Sequence, residues 1–232
     1  MEKSNRITVI CGHYGCGKTN LSINLAVEFE KERQRKADSK IKQTALLDVD
    51  IVNPYFRSSE YGGILAENNI RLIAPVFAGT TLDTPTLPPE MYGAVDNEEI
   101  KLLIDVGGDD AGITALGSIR RQLQEAGYQM IYVINRYRIL SQRPEDAKRL
   151  LEEIEEASGL KADAVVNNSH LSNETTVETV EASREFAGET AELCGLPLMY
   201  HTIPDFAAKK AAFLPPDFKI VHRYVQFPWE EL

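Results

Sequence analysis

Short apolar runs rich in β-branched residues alternate with longer amphipathic stretches along most of this chain. The strand-length runs cover 6–11, 44–48, 71–74, 101–106, 130–135, 164–167 and 198–203. Ile-Thr-Val-Ile at 7–10 and Met-Ile-Tyr-Val-Ile at 130–134 lack polar alternation, as strands covered on both faces do. Helical spacing fills 18–33, 111–126, 144–157 and 174–193, with Leu21, Leu25 and Phe29 on one face of the first. In the third, Pro144, Glu145 and Asp146 suit a first turn, and Gly159 suits the exit. Alternation of this kind predicts an α/β fold: a mostly parallel twisted sheet of about seven strands with helices on both faces.

Two segments break the rhythm. Residues 75–97 hold Pro75, Pro85, Pro88 and Pro89, which predicts a long functional or mobile loop with room for one short helix. The stretch 215–232 carries Phe218, Tyr224, Phe227 and Trp229, aromatics that either cover the core or form an interface. Neither repeats nor an internal boundary is visible, so residues 1–232 are expected to form one nucleotide-binding domain.

A net charge of -10 argues against general nucleic-acid binding. Lys31, Arg33, Arg35, Lys36, Lys40 and Lys42 form a local basic run, read as a solvated helix end or as a patch for an anionic partner. The apolar runs are too short for a membrane span, and a polar start before the first strand does not resemble a signal peptide, so a cytoplasmic location is expected. Cys11, Cys16 and Cys194 are too few and too scattered for a disulfide framework or a zinc site.

The chemistry starts where the first strand ends. Gly12-His13-Tyr14-Gly15-Cys16-Gly17-Lys18-Thr19 fits G-x-x-x-x-G-K-[ST], between an apolar strand and an amphipathic helix. The glycines let successive N–H groups turn towards phosphate oxygens, and the helix start adds its positive end. Lys18 is expected to bridge the β- and γ-phosphates and Thr19 to ligate Mg²⁺, with Asn20 next in line on the nucleotide-binding segment. Other strand ends bring acids: Asp48-Val49-Asp50, whose carboxylates share a face, and Asp105-Val106-Gly107-Gly108. Asp105 is the candidate metal carboxylate, acting through water. Asp48 is a direct or indirect metal candidate, and Asp50 is placed to orient attacking water. Gly107 or Gly108 is placed to offer an N–H to the γ-phosphate.

At these residues the chain resembles the chromosome-partitioning and septum-positioning ATPases, a superfamily that includes the nucleotide-binding domain of cobyrinic acid a,c-diamide synthase. The resemblance is at motif level and runs from about residue 7 to 205. It implies that Asp50 helps activate water and that ATP is sandwiched in a homodimer. In that family a lysine in the phosphate loop reaches the partner's nucleotide. Here His13 and Tyr14 stand where its Lys-Gly pair would be, which makes His13 the candidate for that reach.

Guanine-specific P-loop proteins commonly carry an [NT]-K-x-D segment. The comparable end here is Asn167-Asn168-Ser169-His170, with a histidine in the acid's place, and Asn135-Arg136-Tyr137-Arg138 has no acid either. ATP is therefore expected, with Asn167 as base reader and Ile203-Pro204-Asp205 packing around the base. The leading expectation is a Mg-dependent ATPase switch acting on a protein partner. Two alternatives stand beside it: a metal-insertion accessory GTPase, suggested by Gly107-Gly108-Asp109, and an ATP-using small-molecule kinase or ligase.

Overall fold

A computed structural model describes residues 5–36, 39–49, 61–74 and 89–225. Asp50, residues 75–88, Phe227 and Trp229 lie outside the described residues, so the expectations placed on them stand as they were. The strands are β1 (Ile7–Cys11), β2 (Gln43–Asp48), β3 (Ile70–Ile73), β4 (Ile100–Asp105), β5 (Tyr128–Ile134), β6 (Ala164–Asn167), β7 (Leu198–Pro204) and β8 (Phe218–Val221). They form one parallel sheet in the order β3-β2-β4-β1-β5-β6-β7-β8. Its central strands are apolar on both faces because each face is covered. Ile7, Val9, Cys11, Leu102, Ile104, Tyr132 and Ile134 belong to one core cluster; Ile10, Leu46, Leu103, Ile131 and Val133 belong to the other.

The helix after the phosphate loop, α1 (Lys18–Arg35), buries Leu21 and Leu25 in the second cluster. Two short helices, α2 (Gly62–Glu67) and α3 (Pro89–Asp96), stand between the early strands, the latter matching the one short helix expected within 75–97. The predicted helix 111–126 is two, α4 (Asp110–Ser118) and α5 (Arg120–Ala126), joined at the fully buried Ile119. The third, α6 (Pro144–Ser158), ends on Gly159 in the left-handed region at φ 69, as its sequence implied.

The predicted helix 174–193 also divides, into α7 (Val177–Glu181) and α8 (Arg184–Cys194). Ser183 sits at the break. Its buried hydroxyl donates to the Val180 carbonyl at 2.6 Å and accepts from Asn167 at 2.8 Å, contacts that tie the break to the sheet. After β7 comes α9 (Asp205–Ala208), and β8 extends the edge of the sheet within a stretch read only as an aromatic tail. Of the basic run, Arg33 pairs with the buried Glu30, and Lys40 with Glu98 in an ordinary surface pairing. No helix among the described residues is long and apolar enough to cross a membrane.

Candidate functional site

Residues 12–17 link β1 to α1 at the carboxyl end of the sheet, and two glycines there have structural reasons. Gly12 crosses beside β5, where a Cβ would stand 2.4 Å from the Val133 carbonyl oxygen. Gly17 caps α1 in the left-handed region at φ 86, and a Cβ there would meet the Asn168 amide at 2.3 Å. Lys18 is buried, and its ammonium turns back over the loop to donate to the His13 carbonyl at 3.1 Å. Tyr14 stands exposed at the crest.

Two buried acids lie beside this loop. The parallel register of β2 and β4 sets Asp48 opposite Asp105, and each is only 3% exposed. Asp105 accepts from Ser22 Oγ at 3.1 Å and from the Thr19 hydroxyl. Burial foremost, then the neighbouring Asp48, push its carboxyl up to about 7, against the opposing pull of Thr19, Lys18 and Ser22. Adjacent buried carboxylates of this kind are stabilised by a cation. The donors present, two carboxylates and a hydroxyl, are hard oxygens that suit Mg²⁺. Among the described residues no group of three His, Cys, Asp or Glu converges on one point.

The glycine pair after β4 reaches the same place. A Cβ on Gly108 would lie 2.6 Å from the Tyr14 amide nitrogen and 2.9 Å from the Lys18 ammonium, so the two loops touch. Asp109, which the accessory-GTPase alternative would place near a metal, caps α4 by accepting from Gly112 N at 2.9 Å.

Residues that the sequence brought up only for lacking a guanine-reading acid support the phosphate loop from behind. Asn168 donates to the Cys16 carbonyl at 2.7 Å and accepts from the Thr202 hydroxyl. Arg138 donates its Nε–H to the Gly15 carbonyl at 2.7 Å. His170 abuts Gly17, and burial, with Arg138 and Arg223 nearby, lowers its pKa to about 4. The available signal was the polar run Asn-Asn-Ser-His closing an apolar strand, an expensive arrangement to bury without partners.

Two of the expected nucleotide contacts are engaged within the fold. Asn167 is fully buried, and its amide nitrogen bonds Ser183 Oγ at 2.8 Å and His201 Nδ1 at 2.7 Å. Its oxygen accepts from Ser169 Oγ at 2.6 Å. Asn20 is committed to the C-terminal segment, donating to the His222 carbonyl at 3.0 Å and accepting from Tyr224 N at 2.8 Å. His13 is half-buried, and burial, then Lys18, lowers its pKa. Cys16 is buried in the loop, and that burial pushes its thiol up, as suits a small packing residue.

No family model matches the chain, and no curated protein matches it. Solved structures do. The cell division protein FtsY of Thermotoga maritima superposes with a TM-score of 0.50 at 16% identity, over 85% of this chain and 61% of that one. FtsY of Mycoplasma mycoides gives 0.51 at 14% identity, over 88% and 61%. The signal recognition particle 54 kDa protein of Aeropyrum pernix, in complex with GDP, gives 0.53 at 13%, over 87% and 42%. The chain thus spans about three fifths or less of the length of these matches. At such identities the likeness is one of fold: this chain has the parallel α/β fold of P-loop NTPases.

Proposed function

We propose that this chain is a Mg-dependent nucleoside-triphosphate-binding switch that hydrolyses its nucleotide and acts on a protein partner. One observation supports this most: the phosphate loop, the facing carboxylates Asp48 and Asp105, and Gly108 meet around Lys18. In this reading Lys18 leaves the His13 carbonyl for phosphate oxygens, and the loop N–H groups bind the remainder. Thr19, Asp105 and Asp48 would hold Mg²⁺, which when bound neutralises charge on the β- and γ-phosphates. Gly108 stands beside the crest, where its N–H can follow the γ-phosphate and move when it is lost. Asp50 is assigned to orient the attacking water, and the partner includes a second copy of the chain as one candidate.

ATP remains the first reading, because His170 stands where a guanine-reading carboxylate is expected. GTP is the second. It is favoured by the Asp205 carboxylate just past β7 and by the GDP in the Aeropyrum pernix protein and in FtsY of Elizabethkingia anophelis. Competition between ATP and GTP for a fluorescent nucleotide, with phosphate release followed in Mg²⁺ and in EDTA, tests both. Tight binding of one purine triphosphate with Mg-dependent release supports the proposal. Absence of binding to either refutes it.

A further inference from the structure

The C-terminal segment is fastened to the helix that leaves the phosphate loop. After β8 the chain returns over α1, where Asn20 and Asn24 hold residues 222–225 by their backbone. Asn24 donates to the His222 carbonyl at 2.8 Å and accepts from its N–H at 2.7 Å. Asn20 shares that carbonyl and accepts from Tyr224 N at 2.8 Å and Val225 N at 3.2 Å. Tyr224 and Val225 pack on the α1 core. The same strap reaches two neighbouring loops. His222 Nδ1 meets Asp205 Oδ2 at 3.1 Å just past β7, and Arg223 donates to Asn173 Oδ1 in the turn after β6.

The strand order gives this strap a place relative to a bound nucleotide. Asp48 ends β2, Asp105 ends β4 and Gly108 follows β4; all lie to one side of β1 and mark the metal and terminal-phosphate end. A nucleoside must therefore leave the loop towards the other side, past Gly17 and His170, over the ends of β6 and β7. There the strap places a guanidinium, which stacks on or hydrogen-bonds planar groups, beside an amide and a carboxylate.

We propose that residues 222–225 form the nucleoside wall of the site, with Arg223 contacting the purine or ribose, so that strap docking and nucleoside binding support each other. The inference rests on the phosphate-site reading above and adds the subsite that distinguishes a nucleotide from a bare polyphosphate.

The test compares the preferred purine triphosphate with inorganic tripolyphosphate, by titration calorimetry in Mg²⁺. Arg223→Ala is expected to weaken the nucleotide about tenfold, the loss of one good charged or stacked contact, while tripolyphosphate binding is unchanged. Asn24→Ala, which loosens the strap without touching Arg223, should shift the nucleotide in the same direction by a smaller factor. Nucleotide, but not tripolyphosphate, should also slow trypsin cleavage after Arg223 in the unaltered chain, a readout independent of either variant's folding. Equal losses for both ligands in Arg223→Ala, or no loss with no protection, would overturn the proposal. Failure of the unaltered chain to bind either ligand would overturn the phosphate-site reading and this one with it.

Discussion

Replacing Gly108 by alanine adds one methyl group where the loop after β4 touches the crest of the phosphate loop. The new carbon would stand 2.6 Å from the Tyr14 amide nitrogen and 2.7 Å from its Cα, whereas ordinary contact begins at 3.4 Å. The loops must then part by about 0.8 Å. Gly108 is not among the positive-φ residues, so alanine meets no backbone strain and the variant isolates the spacing. Overpacking costs about 1–3 kcal/mol, and two loops at the end of a sheet can yield towards the lower figure. Chemistry is less forgiving, since a displacement near 1 Å can cost about 10²-fold in rate. The expected outcome is a small fall in Tm, weaker nucleotide binding, and hydrolysis reduced by about one to two orders of magnitude. Gly188→Ala is the control, because a Cβ there meets nothing within 4 Å. Fluorescent-nucleotide titration, phosphate release and thermal melting read all three. Gly108→Ala matching wild type in affinity and turnover would refute the claim that these loops form one site.

Three further outcomes follow from the same geometry. Lys18→Ala should lower nucleotide affinity by about 10²-fold or more while the circular dichroism spectrum is kept; retained affinity in a titration would remove the loop's assigned role. Asn168→Ala removes the side-chain donor to the Cys16 carbonyl and leaves the buried Thr202 hydroxyl only its long 3.4 Å bond to the Asn167 carbonyl, so urea denaturation should show a loss of about 1–3 kcal/mol. An unchanged midpoint would show that Asn168 does not brace the loop. His170 has a folded-state pKa of about 4 against an ordinary 6.5, so the unfolded chain takes up this proton first. Its contribution is complete above pH 6.5 and is lost as pH falls towards 4, by at most about 3 kcal/mol. His170→Gln should flatten the stability profile across that window; identical slopes in the two proteins would exclude His170 as the cause.

Much of the fold was legible because local rules and tertiary needs agree here. A phosphate loop must be preceded by a strand and followed by a helix, and strands buried on both faces cannot hide their apolar runs. The seven strands read from those runs are all present, and α6 starts at Pro144 and closes on Gly159 as its end signals imply. The misses occur where burial is partial or a side chain overrides helical spacing. β8 is an edge strand with Ile220 exposed, so its apolar content is diluted. The helix expected over 174–193 breaks at Ser183, whose bond to Asn167 is a tertiary contact that no local pattern contains.

The sequence by itself determined the phosphate loop and the strand ends that carry Asp48 and Asp105, because these depend on residue type and spacing along the chain. Only the tertiary structure decided which polar groups are free to meet a ligand. Asn167 and Asn168 are adjacent identical residues at one strand end, yet one is consumed by Ser183, Ser169 and His201, while the other braces Cys16. Asn20 lies two residues beyond Lys18 but faces a segment about two hundred positions away. Hydrogen bonds form between neighbours in space, and the order of strands in the sheet sets those neighbours.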